Sequence, residues 1–416
     1  MEHISSQAFT YGQIVNVVRT GRADTRPLIE QETRLGRKVI AQRVQQAIDI
    51  GILEDSEFTP SNGGRPSRRL RFRTEAGHIY AGVVAATEMT AAVTTLDGTL
   101  LDTLHEDWDA ADRPEETLEL LDSLFQKLMR RTRTQPWAFG IGVGGPVEFS
   151  SGRLVAPPIM PGWDGVSVRG WLRERYDAPA WVDNEVNLMA LGEWHKGEPQ
   201  DGRDLLYIFG DEGIGAGLVS SGVVFRGSTG AAGDIGHIQV ATGEDLVCRC
   251  GLIGCLEAVA GGWGISREVT RRSAESPQLN ARLNESGRLT SQDIGLAAAA
   301  GDELATELIV RATHELGKVT ASLINFVNPG TVVLGGGVLR VGEIAVSEFW
   351  KTIQTRMSVL AGKDVQFRTS SLDFREGVIG AALLAIEQLF APGSIGVWIE
   401  NGTPIGSAAS LHRNAS

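Results

Sequence analysis

The chain has 416 residues, 42 % of them hydrophobic, a formal net charge of −12 and a mean hydropathy of −0.05. That length suggests two or three domains, and that composition excludes a disordered or fibrous chain. No apolar run approaches the roughly 18–20 residues of a membrane span, and the start lacks the basic and apolar regions of a signal peptide, so a cytoplasmic location without membrane contact is expected.

The acidic total hides an uneven distribution. Residues 1–78 hold 12 Lys/Arg against 9 Asp/Glu, a net of +3, which leaves −15 for the remainder. Residues 61–73, SNGGRPSRRLRFR, contain five arginines and no acid. Basic charge is therefore local, and an acidic body discourages non-specific contact with DNA.

The first 60 residues read as three short helices. In the first, Ile14, Val17 and Val18 share a face. Asp24 or Thr25 can cap the second, with Pro27 in its first turn and Leu28 and Ile29 inward. Gly36 marks a turn into a third helix from Arg37 to Ile50, whose inner face is Ile40, Val44, Ala47 and Ile48. Its outer face offers Arg37, Lys38, Gln42 and Gln45. A small three-helix bundle of any kind fits this pattern, and so does a helix-turn-helix with Arg37, Lys38 and Gln42 toward bases and phosphates. Two short strands follow, GILEDSEF and RRLRFRT, the second with Leu70 and Phe72 inward and Arg69, Arg71 and Arg73 outward. Between them Gly63 to Pro66 form a narrow basic tip. Such a wing can place Arg65 in a minor groove, where the potential is most negative; a solvated turn is the plainer reading.

After residue 78 the texture is α/β. Residues 79–101 read as two strands joined by a hairpin, an amphipathic helix covers Pro114–Thr132, and AFGIGVGGPVEF is a buried strand ending in a glycine turn. LLYIFGDEGIGAGLVSSGVVF repeats strand, glycine-rich turn and strand. A helix near 302–327 leads into the strand TVVLGGGVL, and REGVIGAALLAIEQLF closes the body as a helix. Two α/β halves suggest a bilobal architecture with a cleft between them. The segment after Phe390 is rich in Gly, Ser and Ala and reads as a loosely ordered tail.

All three cysteines, Cys248, Cys250 and Cys255, fall within eight residues, eleven or more after His237. Three thiolates and one imidazole suit tetrahedral Zn²⁺. Gly251 and Gly254 allow the turns that bring Cys250 and Cys255 onto one ion. With four protein ligands no position stays open, so the expected site is structural.

These motifs together resemble the ROK family (repressor, open reading frame, kinase). The resemblance runs from about residue 10 to 390 and rests on GIGVGGPV, PGWDG, VDNEVNLMALGE, GIGAGLV, GDIGHI, CRCGLIGCLE and NPGTVVLGGGV. It implies an actin-like/hexokinase-like bilobal sugar-kinase fold behind a winged helix-turn-helix. The expected division is a DNA-binding domain over 1–78, a body over 79–390, and a tail over 391–416. Within the body, the small lobe is about 79–190 plus the helix 375–390, and the large lobe about 191–374. The resemblance assigns sugar contacts to Asn184, Glu185, Asp234, His237 and Glu257, with the zinc-held His237 aiming its free ring nitrogen at the ligand. Glu185 stands where family kinases carry an Asp base, and Asp234 where they carry Glu. Carboxylate number is kept and reach is altered.

The phosphate side departs further. Family kinases open with Asp-x-Gly-Gly-Thr; here Val84 takes the position of the metal-holding Asp and Ala86 that of a glycine. The second phosphate loop, Gly-Thr-Gly-Ile-Gly in kinases, reads Asp211-Glu212-Gly213-Ile214-Gly215. Two carboxylates facing phosphate oppose phosphoryl transfer. The expectation is a sugar-responsive regulator, a repressor, binding a palindromic operator as a homodimer or dimer of dimers. The alternative is an active ATP-dependent sugar kinase with a DNA-binding front end.

Overall fold

The computed structural model describes residues 6–58, 67–198, 200–241, 246–287 and 289–413. Three helices come first: α1 (Ser6–Arg19), α2 (Arg26–Thr33) and α3 (Arg37–Asp49). Ile14, Val17 and Val18 of α1 meet Ile29 of α2 and Ile40, Val44 and Ala47 of α3 in one buried cluster. Leu28, expected inward, is 43 % exposed. Adjacent helical positions diverge by about 100°, and α2 turns its Ile29 side to this core and its Leu28 side to solvent. Thr25 is the N-cap of α2, but its side chain makes no capping bond.

Strands β1 (Leu53–Phe58) and β2 (Arg68–Phe72) form an antiparallel ribbon with Leu53 opposite Phe72. Leu70 and Phe72 are buried, as the alternation requires. The arginines around β2 are matched by acids. Arg68 pairs with Asp55, Arg69 with Asp24, and Arg71 and Arg73 with Glu54 and Glu75. The arginines of β2 are thus largely neutralised: strand pairing brings in Glu54 and Asp55, the turn before α2 brings in Asp24, and Glu75 follows close behind in the chain.

The first large sheet uses β3 (His78–Val84), β4 (Glu88–Thr95), β5 (Leu100–Asp107), β6 (Pro136–Val143) and β9 (Ala180–Asn184), in the spatial order β5-β4-β3-β6-β9. Residues 79–101, expected as two strands joined by a hairpin, hold the antiparallel pair β3 and β4, and their last two residues open a third strand, β5. β5 is an edge strand, mostly solvated and polar, and so carries little apolar signal. Helix α4 (Pro114–Thr132) packs on this sheet through Leu118, Leu121, Phe125 and Leu128, with α5 (Val168–Arg175) nearby. A short hairpin, β7 (Val147–Glu148) and β8 (Arg153–Leu154), stands at the cleft.

Helix α6 (Glu185–Lys196) leads to the second sheet, built from β10 (Leu205–Gly210), β11 (Ile214–Ser220), β12 (Val223–Val224), β13 (Thr331–Gly335) and β14 (Gln366–Thr369). Its order is β12-β11-β10-β13-β14. Each sheet therefore runs third, second, first, fourth, fifth strand, with the first three antiparallel and the last two joined in parallel. The halves repeat in topology without repeating in sequence. Between β12 and β13 lie α7 (Leu256–Ala260), α8 (Gly262–Arg271), α9 (Pro277–Ser286), α10 (Ser291–Ala299) and α11 (Glu303–Val327). Helices α12 (Val338–Val341) and α13 (Glu343–Gln354) precede β14.

Helix α14 (Glu376–Phe390) returns to the first sheet and crosses α6 at very short range. A Cβ at Gly380 would stand 1.7 Å from the Leu188 carbonyl oxygen, and one at Gly192 would stand 2.2 Å from that of Glu376. Beyond α14, the segment expected to be a loose tail folds into α15 (Pro392–Trp398) and α16 (Ala408–Arg413). Ile395, Trp398, Ile399 and Leu411 are buried, and Trp398 meets both Trp137 and Phe390 edge-on. Four apolar anchors outweigh a composition dominated by small residues. The segment also holds α1: Gly12 lies against Ile395 and Pro392, and Asn16 Nδ2 donates to the Phe390 carbonyl at 2.6 Å. Among the described residues, no single helix is long and apolar enough to cross a membrane.

Gly380→Ala should lower the unfolding free energy by about 1–3 kcal/mol, since overpacking forces backbone shifts. Urea denaturation followed by circular dichroism reads this directly, and an unchanged midpoint would contradict the close crossing.

Candidate functional site

A cavity lies where α6, the β10–β11 turn and the loop before His237 converge. Asn184, Glu185, Asp234, His237 and Glu257 all line it, together with Pro158, Ile159 and Gly213 to Ala216. The structure thus brings together every residue expected at the sugar site. They come from separate elements: the end of β9, the start of α6, the short turn Ile235–His237, and the first turn of α7.

Their local duties differ. Asn184 is the N-cap of α6; its side-chain oxygen accepts from Val186 N at 2.8 Å, and its Nδ2 donates to the Gly145 carbonyl at 2.8 Å. Most of its hydrogen-bonding capacity holds the wall, so it is a structural member of the site first. Glu185 is 4 % exposed, and its Oε2 has no hydrogen-bond partner among the described residues. Burial, reinforced by the neighbouring charges of Glu88 and Asp211, pushes its carboxyl up to about 8. A protonated Glu185 both donates and accepts, which suits a hydroxyl group. Glu257 accepts from Ile214 N at 3.1 Å, and burial raises its carboxyl as well. Sequence reasoning did not single out Asp183 and Arg226. Asp183 is buried at the end of β9 and accepts from Arg226 Nε at 2.7 Å, while that guanidinium covers the Phe149 ring. This pair braces the strand end that carries Asn184. The only sequence signal was an acid in the apolar run AWVDN.

His237, Cys248, Cys250 and Cys255 offer ligand atoms that all lie within 4.8 Å of one another. Cys250 Sγ and Cys255 Sγ are 3.7 Å apart, as are Cys248 Sγ and His237 Nδ1. A disulfide requires about 2.05 Å, whereas a tetrahedral ion with arms of about 2.3 Å places sulfurs about 3.8 Å apart. These four side chains can hold a metal ion. Gly254 has φ +75°, and a Cβ there would stand 1.7 Å from the Ala241 carbonyl oxygen, so glycine alone allows this turn. His237 turns Nδ1 to the cysteines and leaves Nε2 3.7 Å from Asp234 Oδ1 at the cavity. The ring nitrogen expected to aim at ligand therefore lies at the cavity, beside Asp234. Cys255 is the N-cap of α7, which fixes Glu257 two residues later.

At the other end of the molecule, Arg37, Lys38 and Gln42 are exposed on the outer face of α3. Arg37 is also engaged, its Nε donating to Glu30 Oε2 at 2.9 Å. Arg65 lies outside the described residues. Of the kinase markers, Val84 is fully buried at the end of β3, and Asp211 and Glu212 line a second, wider cavity beside the first.

Two lobes of matching topology that close on a carboxylate-lined cavity define an actin-like/hexokinase-like α/β protein. The chain belongs to the ROK family, which matches residues 80–388. It is 31 % identical over 319 residues to a glucokinase of Halalkalibacterium halodurans, covering 74 % of this chain and 95 % of that one. It is 24 % identical over 384 residues to the xylose repressor of Caldicellulosiruptor bescii, covering 91 % and 95 %. The structure of a ROK family transcriptional regulator, a homologue of the E. coli MLC protein, superposes with a TM-score of 0.78 at 25 % identity, covering 95 % of this chain and 99 % of the other.

Two outcomes follow from the geometry. Metal analysis of the purified protein should find one transition-metal ion per chain, and Cys255→Ser should reduce this at least tenfold; full occupancy in that variant would exclude the four-residue site. For Glu185, a carboxyl that titrates near 4.5 when unfolded and about 8 when folded keeps a proton that the unfolded chain loses. Between those values wild type therefore loses stability relative to Glu185→Gln as pH rises, by about 1.4 kcal/mol per unit and roughly 3 kcal/mol at pH 7. Urea titrations of both proteins from pH 4.5 to 8 measure the gap; a gap independent of pH would mean Glu185 folds ionised.

Proposed function

We infer that this protein is a sugar-responsive transcriptional repressor whose kinase-like body senses ligand and whose first 78 residues read DNA. The observation that carries this reading is the coupling of the cavity to the N-terminal unit through α14. That helix packs on α6, which begins with Glu185, and ends at Phe390, whose ring meets Phe72 of the ribbon at 5.4 Å. Full-length similarity points the same way. Coverage of 95 % by a transcriptional regulator must include most of residues 1–78, whereas the glucokinase alignment stops at 74 %.

The N-terminal unit is proposed to be a winged helix-turn-helix, with α3 entering a major groove and the β1–β2 tip carrying Arg65 toward a minor groove. Arg37, Lys38 and Gln42 make the α3 contacts; the Arg37–Glu30 pair is exposed and screened, and a phosphate can displace it. A homodimer or dimer of dimers places two such units on a palindromic operator. In the body, Glu185, Asp234, His237 and Glu257 receive the hydroxyls of a sugar or sugar derivative. The cysteine loop holds Zn²⁺, which supplies a rigid anchor for His237 and the start of α7. Sugar binding shifts the balance between two lobe arrangements by its differential affinity for them, and α14 carries that shift to the DNA reader.

Phosphoryl transfer is absent in this reading. Val84 supplies no metal ligand, and Asp211 and Glu212 place negative charge where a transferring phosphoryl group would add more. With ATP, Mg²⁺ and a panel of hexoses, pentoses and amino sugars, ADP release should stay at background; phosphorylation of any of them would restore the kinase alternative.

The deciding experiment is a fluorescence-anisotropy titration against the chain's own promoter region at fixed salt, with and without sugars. Specific binding is expected, altered by one class of sugar. Gln42→Ala should weaken it by about 1–3 kcal/mol if it reads a base, and Lys38→Ala should reduce the salt slope by about one. No specific binding under any condition would overturn the reading.

A further inference from the structure

The cavity around Glu185 is one end of a longer cleft. Pro158 and Ile159 line it and also line the second cavity, which is wider and open to solvent. Glu88 and Asp211, both on that second wall, lie close enough to Glu185 to act on its carboxyl, so the two spaces are neighbours.

The second wall is poorly suited to anions. It carries five carboxylates, Glu88, Asp107, Asp109, Asp211 and Glu212, against two guanidiniums, Arg249 and Arg267. Asp211 reaches across to the glycine turn after β13, where a Cβ on Gly337 would stand 2.1 Å from its Oδ1. A phosphate chain entering here meets fixed negative charge on both sides. The wall is well suited to a neutral polyhydroxylated group. Arg249 and Arg267 are held against the Trp263 ring at 4.7 and 4.9 Å, and Arg267 also donates to the Val247 and Ala258 carbonyls. They stand as fixed donors. Gln292, Thr290 and Ser291 add amide and hydroxyl groups. Ser291 Oγ is shielded from solvent and has no hydrogen-bond partner among the described residues. Carboxylates that accept and guanidinium, amide and hydroxyl groups that donate are the complement of sugar hydroxyls, each of which does both.

We propose that the second cavity is a subsite for a further sugar ring, so that the ligand is a neutral disaccharide or longer saccharide. One ring lies against Glu185, Asp234, His237 and Glu257, and the glycosidic link passes Ile159. The next ring lies between Asp109 and the Gln292–Ser291 edge. This rests on the sensing role proposed above and specifies its ligand: a monosaccharide fills only the first cavity, and a sugar phosphate or nucleotide is disfavoured in the second.

Isothermal titration of the full-length, metal-loaded protein tests it. The probes are cellobiose, maltose, xylobiose and sucrose, set against glucose, xylose, N-acetylglucosamine, glucose 6-phosphate and ADP. At least one neutral disaccharide should bind tenfold or more tightly than its component monosaccharide. Asp109→Ala with Gln292→Ala, two exposed positions that line only the second cavity, should remove that advantage and leave the monosaccharide Kd unchanged. The proposal fails if a monosaccharide, glucose 6-phosphate or ADP binds as tightly as every disaccharide. It also fails if no probe binds, or if the double variant weakens mono- and disaccharide equally. The operator titration separates this from the functional reading: a disaccharide that binds with the expected pattern but leaves DNA affinity unchanged removes the regulator and retains the subsite.

Discussion

The closeness of α6 and α14 is the constraint on which the rest depends. Two helices carrying ordinary side chains pack 8–10 Å apart. Here Gly192 and Gly380 let backbone meet backbone, with no room for a Cβ on either. That contact lies between the two sheets, since α6 packs on β11 of the second and α14 on β6 and β3 of the first. Both helices begin at buried polar groups. Asn184 and Glu185 open α6 at the cavity, and Glu376 opens α14, accepting from Tyr207 of the second sheet at 2.8 Å. A change in the angle between lobes must pass through this pair, because nothing in it can compress.

Buried carboxylates along this axis divide into two kinds. Glu193 of α6 is fully enclosed but satisfied by Arg368, Ser370 and Ser371 at the end of β14. A buried charge so completely partnered fixes the register of α6 against β14 rather than adding much net stability. Glu185, eight residues earlier on the same helix, is also enclosed and has an oxygen with no partner among the described residues. An unpaired buried oxygen of this kind costs stability, whereas the fully partnered Glu193 does not.

The cysteine loop has a different task. It adds little apolar core of its own, with Cys248, Cys255 and Ala258 as its buried members. An ion in that position would add to the antiparallel pairing of Gln239 with Cys255 and of Val247 with Ile253, and would set the first turn of α7 and the ring of His237 at once. The wall opposite α6 would then draw rigidity from coordination as well as from backbone pairing.

Much of this was legible in the chain alone. The α4 helix was readable to the residue because its apolar positions follow a 3.6-residue period, and the cysteine cluster announced a metal site because thiolates at that spacing have few other uses. The cavity residues were reachable only through resemblance, since no local pattern marks Asn184 and Glu257 as neighbours. What tertiary structure alone decided was whatever depends on partners distant in sequence. Arginines that look like a bare basic run are matched by Glu54 and Asp55 on the facing strand and by Asp24 before α2. A glycine- and serine-rich ending becomes a helical wedge because Trp398 finds Trp137 and Phe390. Local sequence determines which segments can be helix or strand, through periodicity and turn chemistry; long-range contacts determine which charges remain free and which segments are held, because those energies arise only when distant residues meet.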